Sequence, residues 1–385
     1  MNNLAPNFQL SNFRPTELDI KMRSKNIFLI AIFGLLVSCG EAIKEAEKEF
    51  MPPAQGGIGE ILLVMDSAQW KGEIGKELKR TFHTLMPGLP QDEPMFKLHY
   101  INPRRFNSVL KQAKSIIFVT LLDDPSRESR ILRSYFTQES LQRIRQEEKL
   151  FMFTKKDDFA KGQDILHLFG KDENTLLGNL RENKENIRAL FENIEQKRLE
   201  TSLFKSENRD LQKQLRKKHN FSIRVPYGYE VAKNDDNFIW IRQLEYPEEK
   251  SFFIYYEPYR SAEIFNKDGI ADLRNRITYQ MIKDVEDKDT YMMLQDEKYM
   301  PYYTKEINLN GAYAFEMRGL WKLSDISAGG PFVSYTTVDQ KLGRLYYIEG
   351  YVYHPSGDKR DWIREMDAIL QTFEVSDQEA SQATD

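Results

Sequence analysis

Between residues 59 and 154 short apolar runs of strand length alternate with amphipathic helical stretches, and this alternation restricts the first half of the chain to a layered α/β fold. Glu60-Ile-Leu-Leu-Val-Met65 is a continuous apolar run that reads as a buried strand, and Ser67 opens a helical stretch marked by Ile74, Leu78 and Phe82. Met95-Phe-Lys-Leu-His-Tyr-Ile101 alternates as a second strand. Residues 103–111, with Phe106 and Leu110, read as a short helix, and Ser115-Ile-Ile-Phe-Val-Thr-Leu-Leu122 reads as another buried strand. Ile131, Leu132, Tyr135 and Phe136 mark the next helix, Thr137 recaps it ahead of Leu141 and Ile144, and Leu150-Phe-Met-Phe-Thr154 is a further strand. An α/β layered domain is therefore expected over residues 57–170.

Residues 171–219 are strongly charged, with apolar residues at helical spacing from Leu176 and Leu180 through Ile187, Phe191 and Ile194 to Leu211 and Leu215. They predict a helical connector of one or two long amphipathic helices packed on the domains, with a self-associating coiled coil as the alternative. From residue 220 to 376 the chain is strand-rich. Runs near 221–226, 238–242, 251–256, 302–309, 312–320, 332–338 and 345–353 read as strands, with turns at Asn234-Asp-Asp, Asn310-Gly311 and Lys341-Leu-Gly343. Ile270, Leu273, Ile277, Met281 and Val285 line one helix; Trp362, Met366, Ile369 and Phe373 line the last. The expectation for this half is an α+β sandwich: an antiparallel sheet with helices on one face. Residues 377–385 are expected to be a disordered tail.

The N-terminal segment carries a different kind of signal. Arg23 and Lys25 precede an apolar run over residues 27–37, and Ser38 then precedes Cys39, the one cysteine of the chain. This is the layout of a secretory signal peptide, and the run is shorter than the roughly 20 apolar residues that span a membrane. Leu36-Val-Ser-Cys39 resembles the lipobox of bacterial lipoproteins, which implies cleavage between Ser38 and Cys39 and lipidation of Cys39. An uncleaved signal anchor is the competing reading. Residues upstream of Met22 include Glu17 and Asp19, which signal peptides lack, so translation is expected to start at Met22 and residues 1–38 to be absent from the mature protein. The stretch 39–56, charged and then rich in proline and glycine, reads as a solvated tether.

Composition narrows the function classes. Removing residues 1–38 moves the formal charge from −4 to −6, which is no nucleic-acid footprint. A lone cysteine excludes a disulfide scaffold. No nucleophile elbow, metalloprotease helix, Walker loop or kinase signature is present, and Gly56-Gly57-Ile-Gly59 precedes a strand instead of following one, so no catalytic residues and no cofactor are assigned. The five histidines, His83, His99, His167, His219 and His354, are scattered and read as core or surface residues, with no metal site. The acidic cluster of Asp284, Glu286, Asp287 and Asp289 lacks the glycine and closing glutamate of a calcium loop and reads as a solvated helix end. Asp123 and Asp124, at the end of a buried strand, stand where α/β folds place ligand groups, although an N-cap explains the pair equally well. Tyr299, Tyr302 and Tyr303, in Tyr-Met-Pro-Tyr-Tyr, form a candidate aromatic binding face.

Two resemblances follow from these residues. Phe221-Ser-Ile-Arg-Val-Pro-Tyr-Gly-Tyr229, the Trp240-bearing strand after it and the closing amphipathic helix are similar to the photosystem extrinsic-subunit and Mog1-type sandwich. With the lipobox and Gly59-Glu-Ile-Leu-Leu-Val-Met-Asp66, the same stretches make the chain resemble a family of Bacteroidota envelope lipoproteins classed as a domain of unknown function. That resemblance implies an outer-membrane lipoprotein with no active-site residues to carry over. The expected role is a non-enzymatic module whose partners are the membrane, through lipid on Cys39, and an envelope protein or glycan. A cell-wall or polysaccharide hydrolase is the alternative.

Overall fold

A computed structural model describes residues 50–245, 248–283, 289–295, 298 and 300–375. Cys39, Ser38, Tyr299, most of the tether, the acidic residues 284–287 and the tail from 376 lie outside the described residues.

Strands β1 (Glu60–Val64), β2 (Lys97–Ile101), β3 (Ser115–Leu121), β4 (Met152–Lys156) and β5 (Asp164–Gly170) form one sheet in the order β2-β1-β3-β5-β4. All pairings are parallel except β4 with β5. Central strands β1 and β3 are covered on both sides, which is why they read as continuous apolar runs. Helices α1 (Ser67–Lys71), α2 (Glu73–Phe82), α3 (Arg127–Arg133), α4 (Gln138–Gln146), α5 (Glu173–Glu182), α6 (Lys184–Leu203) and α7 (Arg209–His219) connect and follow the strands. On one face Leu63, Val119 and Leu168 meet Phe82, Leu180 and Phe191 of α2, α5 and α6; on the other Val64, Phe118 and Ile165 meet Leu132 of α3. The stretch expected as a short helix forms two 3₁₀ turns, Pro103–Arg105 and Leu110–Gln112. The tether ends earlier than residue 56: Ala54 donates to the Lys161 carbonyl (2.9 Å) and Gln55 to that of Gln112 (2.7 Å).

Strand β5 carries a buried histidine in its centre. The His167 ring, 3% exposed, is stacked between Phe118 (5.0 Å) and Phe153 (4.4 Å), with Phe136 edge-on at 5.6 Å. Burial pushes its pKa down from 6.5 to about 4. The unfolded chain takes up this proton at higher pH than the folded one, so stability is lost as the pH falls from about 6.5 to about 4, by up to roughly 3 kcal/mol. Urea titrations at pH 7 and pH 4.5 check this: His167→Phe is expected to lose less stability on acidification than the parent chain, and an equal loss in both contradicts it.

The second sheet is antiparallel. It contains β7 (Glu230–Asn234), β8 (Phe238–Glu245), β9 (Glu248–Pro258), β10 (Met292–Leu294), β11 (Tyr303–Leu309), β12 (Ala312–Leu323), β13 (Gly329–Asp339) and β14 (Arg344–Tyr353), in the order β10-β12-β13-β14-β9-β8-β7, with β11 on β12. A small ribbon pairs β6 (Phe221–Ser222) with β15 (Glu374–Val375). Asn310 (φ 51°) and Gly311 (φ 89°) make the two-residue turn between β11 and β12, where positive φ at both positions suits the twist of a hairpin. Helices α8 (Lys267–Met281) and α9 (Arg360–Leu370) complete this half.

The α/β and α+β classes expected from the sequence are the observed ones, but the two helices do not share a face. Successive residues of a strand point to opposite sides: Tyr346 and Ile348 meet Ile363, Met366 and Ile369 of α9, whereas Tyr347 and Tyr351 meet Ile270, Leu273 and Ile277 of α8. Both faces of the sheet are apolar, so each needs its own cover.

From Pro53 onward both sheets belong to one folded unit. Met86 and Leu89, from the loop after α2, enter the core under α9, and Gly88 (φ 79°) lies so close to the Arg318–Gly319 backbone that an added Cβ would stand 2.8 Å from the Gly319 nitrogen. The N-terminus of α9 has no side-chain cap of its own. Glu93 supplies one: its two oxygens accept from the Lys359 amide (2.8 Å) and the Arg360 amide (2.9 Å). Arg360 and Arg364 return donors to the carbonyls of Ile58, Pro94 and Met95.

Candidate functional site

Two places collect the residues that the sequence singles out. The first is the carboxyl edge of the parallel sheet, where β1 lies between β2 and β3 and the chain leaves these strands in different directions, the position at which open α/β sheets leave a crevice. Asp66 closes β1 and caps α1, accepting from the Ala68 amide at 2.7 Å and the Gln69 amide at 3.2 Å. Asp124 follows β3. It accepts from the Ser126 amide (2.8 Å), the Ser129 hydroxyl (2.8 Å) and the Gln69 side-chain amide (2.6 Å). Burial works to raise its pKa, yet the donors at Ser126, Ser129 and Gln69 together hold the carboxyl below the usual range. Arg133 gathers the same strand end by donating to the carbonyls of Leu121, Leu122 and Asp124. Asp123 points the other way and pairs with Arg145 at 2.6 Å on the surface. The two neighbouring aspartates therefore do not converge on one site. Gln69 Oε1, buried beside Asp124, has no hydrogen-bond partner among the described residues.

The second place is a cavity of about 350 Å³ between α6 and the second sheet, lined by Met86 and Pro87 of the loop after α2, by Tyr303 and Arg318 of β11 and β12, and by Arg364 and Asp367 of α9. Tyr302 and Tyr303 are split by strand alternation. Tyr303 is 49% exposed, whereas Tyr302 is buried in the core under α8, its ring covered by the Lys267 ammonium at 4.4 Å. A single outward tyrosine at a cavity mouth thus stands where the sequence suggests an aromatic cluster.

Beneath Tyr303 lies an ionic network that sequence reading misses. Arg318 Nε donates to Glu316 at 2.8 Å and its Nη2 to Asp367 at 2.5 Å; Asp367 also accepts from Gln371 (3.0 Å) and from the Tyr335 hydroxyl. Lys305 reaches Glu316 at 3.3 Å. Burial acts to raise the Asp367 pKa, and the Arg318 guanidinium with its hydrogen bonds outweighs it and keeps the carboxylate charged. Burial drives the Tyr335 phenol well above its ordinary value. Glu316 and Arg318, two apart on β12, had to share a face, and that spacing was the one available signal; nothing in the sequence places Asp367 beside them. Charges paired in this way hold a shape and leave no free acid or base.

Among the described residues no cluster of three or more His, Cys, Asp or Glu side chains is arranged to hold a metal ion. Nor, among them, is any helix long and apolar enough to cross a membrane.

A parallel α/β layer joined through helices to a curled antiparallel sheet defines a two-sheet protein of mixed class. Two family models of unknown function match the chain, each over less than half of it: residues 54–204 match "Domain of unknown function (DUF8532)" and residues 208–372 match "Domain of unknown function (DUF4837)". No curated protein sequence matches it. Among solved structures, a point mutant of protein Mog1 is 11% identical and matches 42% of this chain and 93% of its own, with a TM-score of 0.27. The Ran-binding protein Mog1p of Saccharomyces cerevisiae is 10% identical over 42% of this chain and 92% of its own, with a TM-score of 0.28. A protein from Bacteroides thetaiotaomicron is 11% identical over 42% and 46%, with a TM-score of 0.20.

Proposed function

We propose that this chain is a lipoprotein of the bacterial cell envelope, held in the outer membrane by lipid on Cys39, and that its folded unit is a non-enzymatic binding or structural module for an envelope protein or glycan. The observation that carries the anchor is in the sequence: a basic start at Arg23 and Lys25, an apolar run over 27–37, then Ser38 and Cys39. Each buried methylene adds about 0.8 kcal/mol of membrane affinity, so two or three acyl chains on one sulfur hold a protein that a single chain would release.

The binding role draws its support from Asp124 and Tyr303. Three donors keep Asp124 an ionised, fixed acceptor, whereas a catalytic acid at neutral pH needs its carboxyl raised. Tyr303 offers an exposed ring over a cavity lined by both apolar and charged side chains, which suits stacking against a partner. Cell fractionation tests the anchor: the full chain is expected in the outer-membrane fraction and the Cys39→Ala variant outside it, and an unchanged membrane fraction for the variant contradicts the reading. Release of soluble fragments from cell-wall sacculi, abolished by Asp124→Asn, would overturn the non-enzymatic role.

A further inference from the structure

A groove of about 810 Å³ runs between α6 and the β4–β5 ribbon; it shares Asn193 of α6 with the cavity under Tyr303 but none of that cavity's charged residues. It exists because β4 is an antiparallel addition at the sheet edge whose principal neighbour is β5 alone, while α6 covers the strands further in. Thr154 and Lys156 pair with Leu166 and Asp164 in register, so all four face the same side. Opposite them, half-buried Leu190 and Ile194 of α6 form an apolar wall over Leu166.

The rim of this wall is cationic in a chain whose formal charge is −4. Lining side chains contribute six cations and two carboxylates. Both carboxylates are occupied. Asp164 takes Arg198 at 2.7 Å, with Lys156 at 3.8 Å, and Asp157 accepts from the Gly162 and Gln163 amides of its own turn. Arg198 is further tied to Glu195, Ser115 and the Lys114 carbonyl. Lys114, Lys161, Lys197 and Lys205 remain, and their ammonium groups have no carboxylate partner among the described residues. They come from four separate parts of the fold, the approach to β3, the β4–β5 turn, α6 and the segment after it, yet they ring one apolar wall.

The geometry points to a binding site for an anionic amphiphile, one acyl chain at a time, with the chain against half-buried Leu190 and Ile194 and the carboxylate or phosphate head among the four lysines. Ammonium groups on flexible stems act as point charges and do not demand the planar geometry that arginine selects, so either head group fits. The volume exceeds what a bare inorganic anion fills, and an apolar wall adds nothing for such an ion. The assignment does not depend on acylation of Cys39.

Calorimetric titration of the full Cys39→Ala chain, which brings no acyl group of its own, tests it with laurate and dodecyl phosphate below their micellar concentrations. Binding of one molecule per chain is expected, weakening as salt is added. Lys161→Glu with Lys197→Glu is expected to lower the affinity about tenfold or more through lost charge attraction, and Leu190→Gln to lower it through the lost wall. The lysine positions are exposed, so circular dichroism of that variant should match the parent. Comparable binding of inorganic phosphate or of neutral dodecyl maltoside, indifference to the lysine reversals, or binding confined to anionic vesicles would each overturn the assignment.

Discussion

Arg274→Ala is expected to destabilise the protein by about 4 kcal/mol, because it strands a carboxylate in the centre of the second sheet. Arg274 and Glu349 are both fully buried. They are joined by two parallel hydrogen bonds, Nη2 to Oε1 at 2.7 Å and Nε to Oε2 at 2.8 Å. The Tyr347 hydroxyl adds a third at 2.5 Å, and the guanidinium lies 4.1 Å from the centre of the Phe332 ring. Burial pushes the Glu349 carboxyl upward, against the opposing pull of the Arg274 guanidinium and the Tyr347 hydroxyl. Without Arg274 the glutamate must take a proton or stay charged in an apolar core, and both outcomes weaken the fold. Replacing the pair together, Arg274→Met with Glu349→Leu, is expected to recover most of the loss, since a buried ion pair repays little beyond its own desolvation. Urea unfolding of the parent, both single variants and the double variant measures the coupling directly. Additive losses in the double variant would show that the pair does not act as a unit.

Glu93→Ala is expected to cost about 3 kcal/mol and to loosen the junction between the two halves. The glutamate is 7% exposed, and its two oxygens hold the amides of the N-cap residue Lys359 and of Arg360, the first residue of α9, so its removal leaves two buried donors without acceptors at roughly 1 to 3 kcal/mol each. Glu93→Gln keeps one acceptor oxygen and should recover part of the difference. Chemical denaturation gives the stability, and hydrogen exchange at the Lys359 and Arg360 amides gives the location. Unchanged protection of those amides in the alanine variant would contradict the capping role.

What the sequence made legible follows from how far each element depends on distant residues. Strands β1 and β3 are buried on both faces, so their apolar runs were plain, and the Asn310-Gly311 turn declared itself through local backbone preference. The sequence pattern does not announce β5: Asp164, His167 and Gly170 interrupt its run, and the histidine belongs there only because Phe118 of β3, Phe153 of β4 and Phe136 of the turn between α3 and α4 cover it. Asp124 was correctly placed at a strand end, but the donors that settle its protonation come from Gln69 as well as from its own turn. The pairing of α9 with Glu93 spans 266 residues and leaves no local trace. The four lysines of the α6 groove, spread from residue 114 to residue 205, look like ordinary solvated charge until the missing cover over β4 exposes the wall between them.

If one sulfur ties this two-sheet unit to the envelope, as proposed, the intact mass of the protein purified from membranes carries its signature. The account predicts a chain that begins at Cys39 and carries the added mass of a diacylglycerol group. A mass that retains residues 27–37 with an unmodified thiol would contradict it.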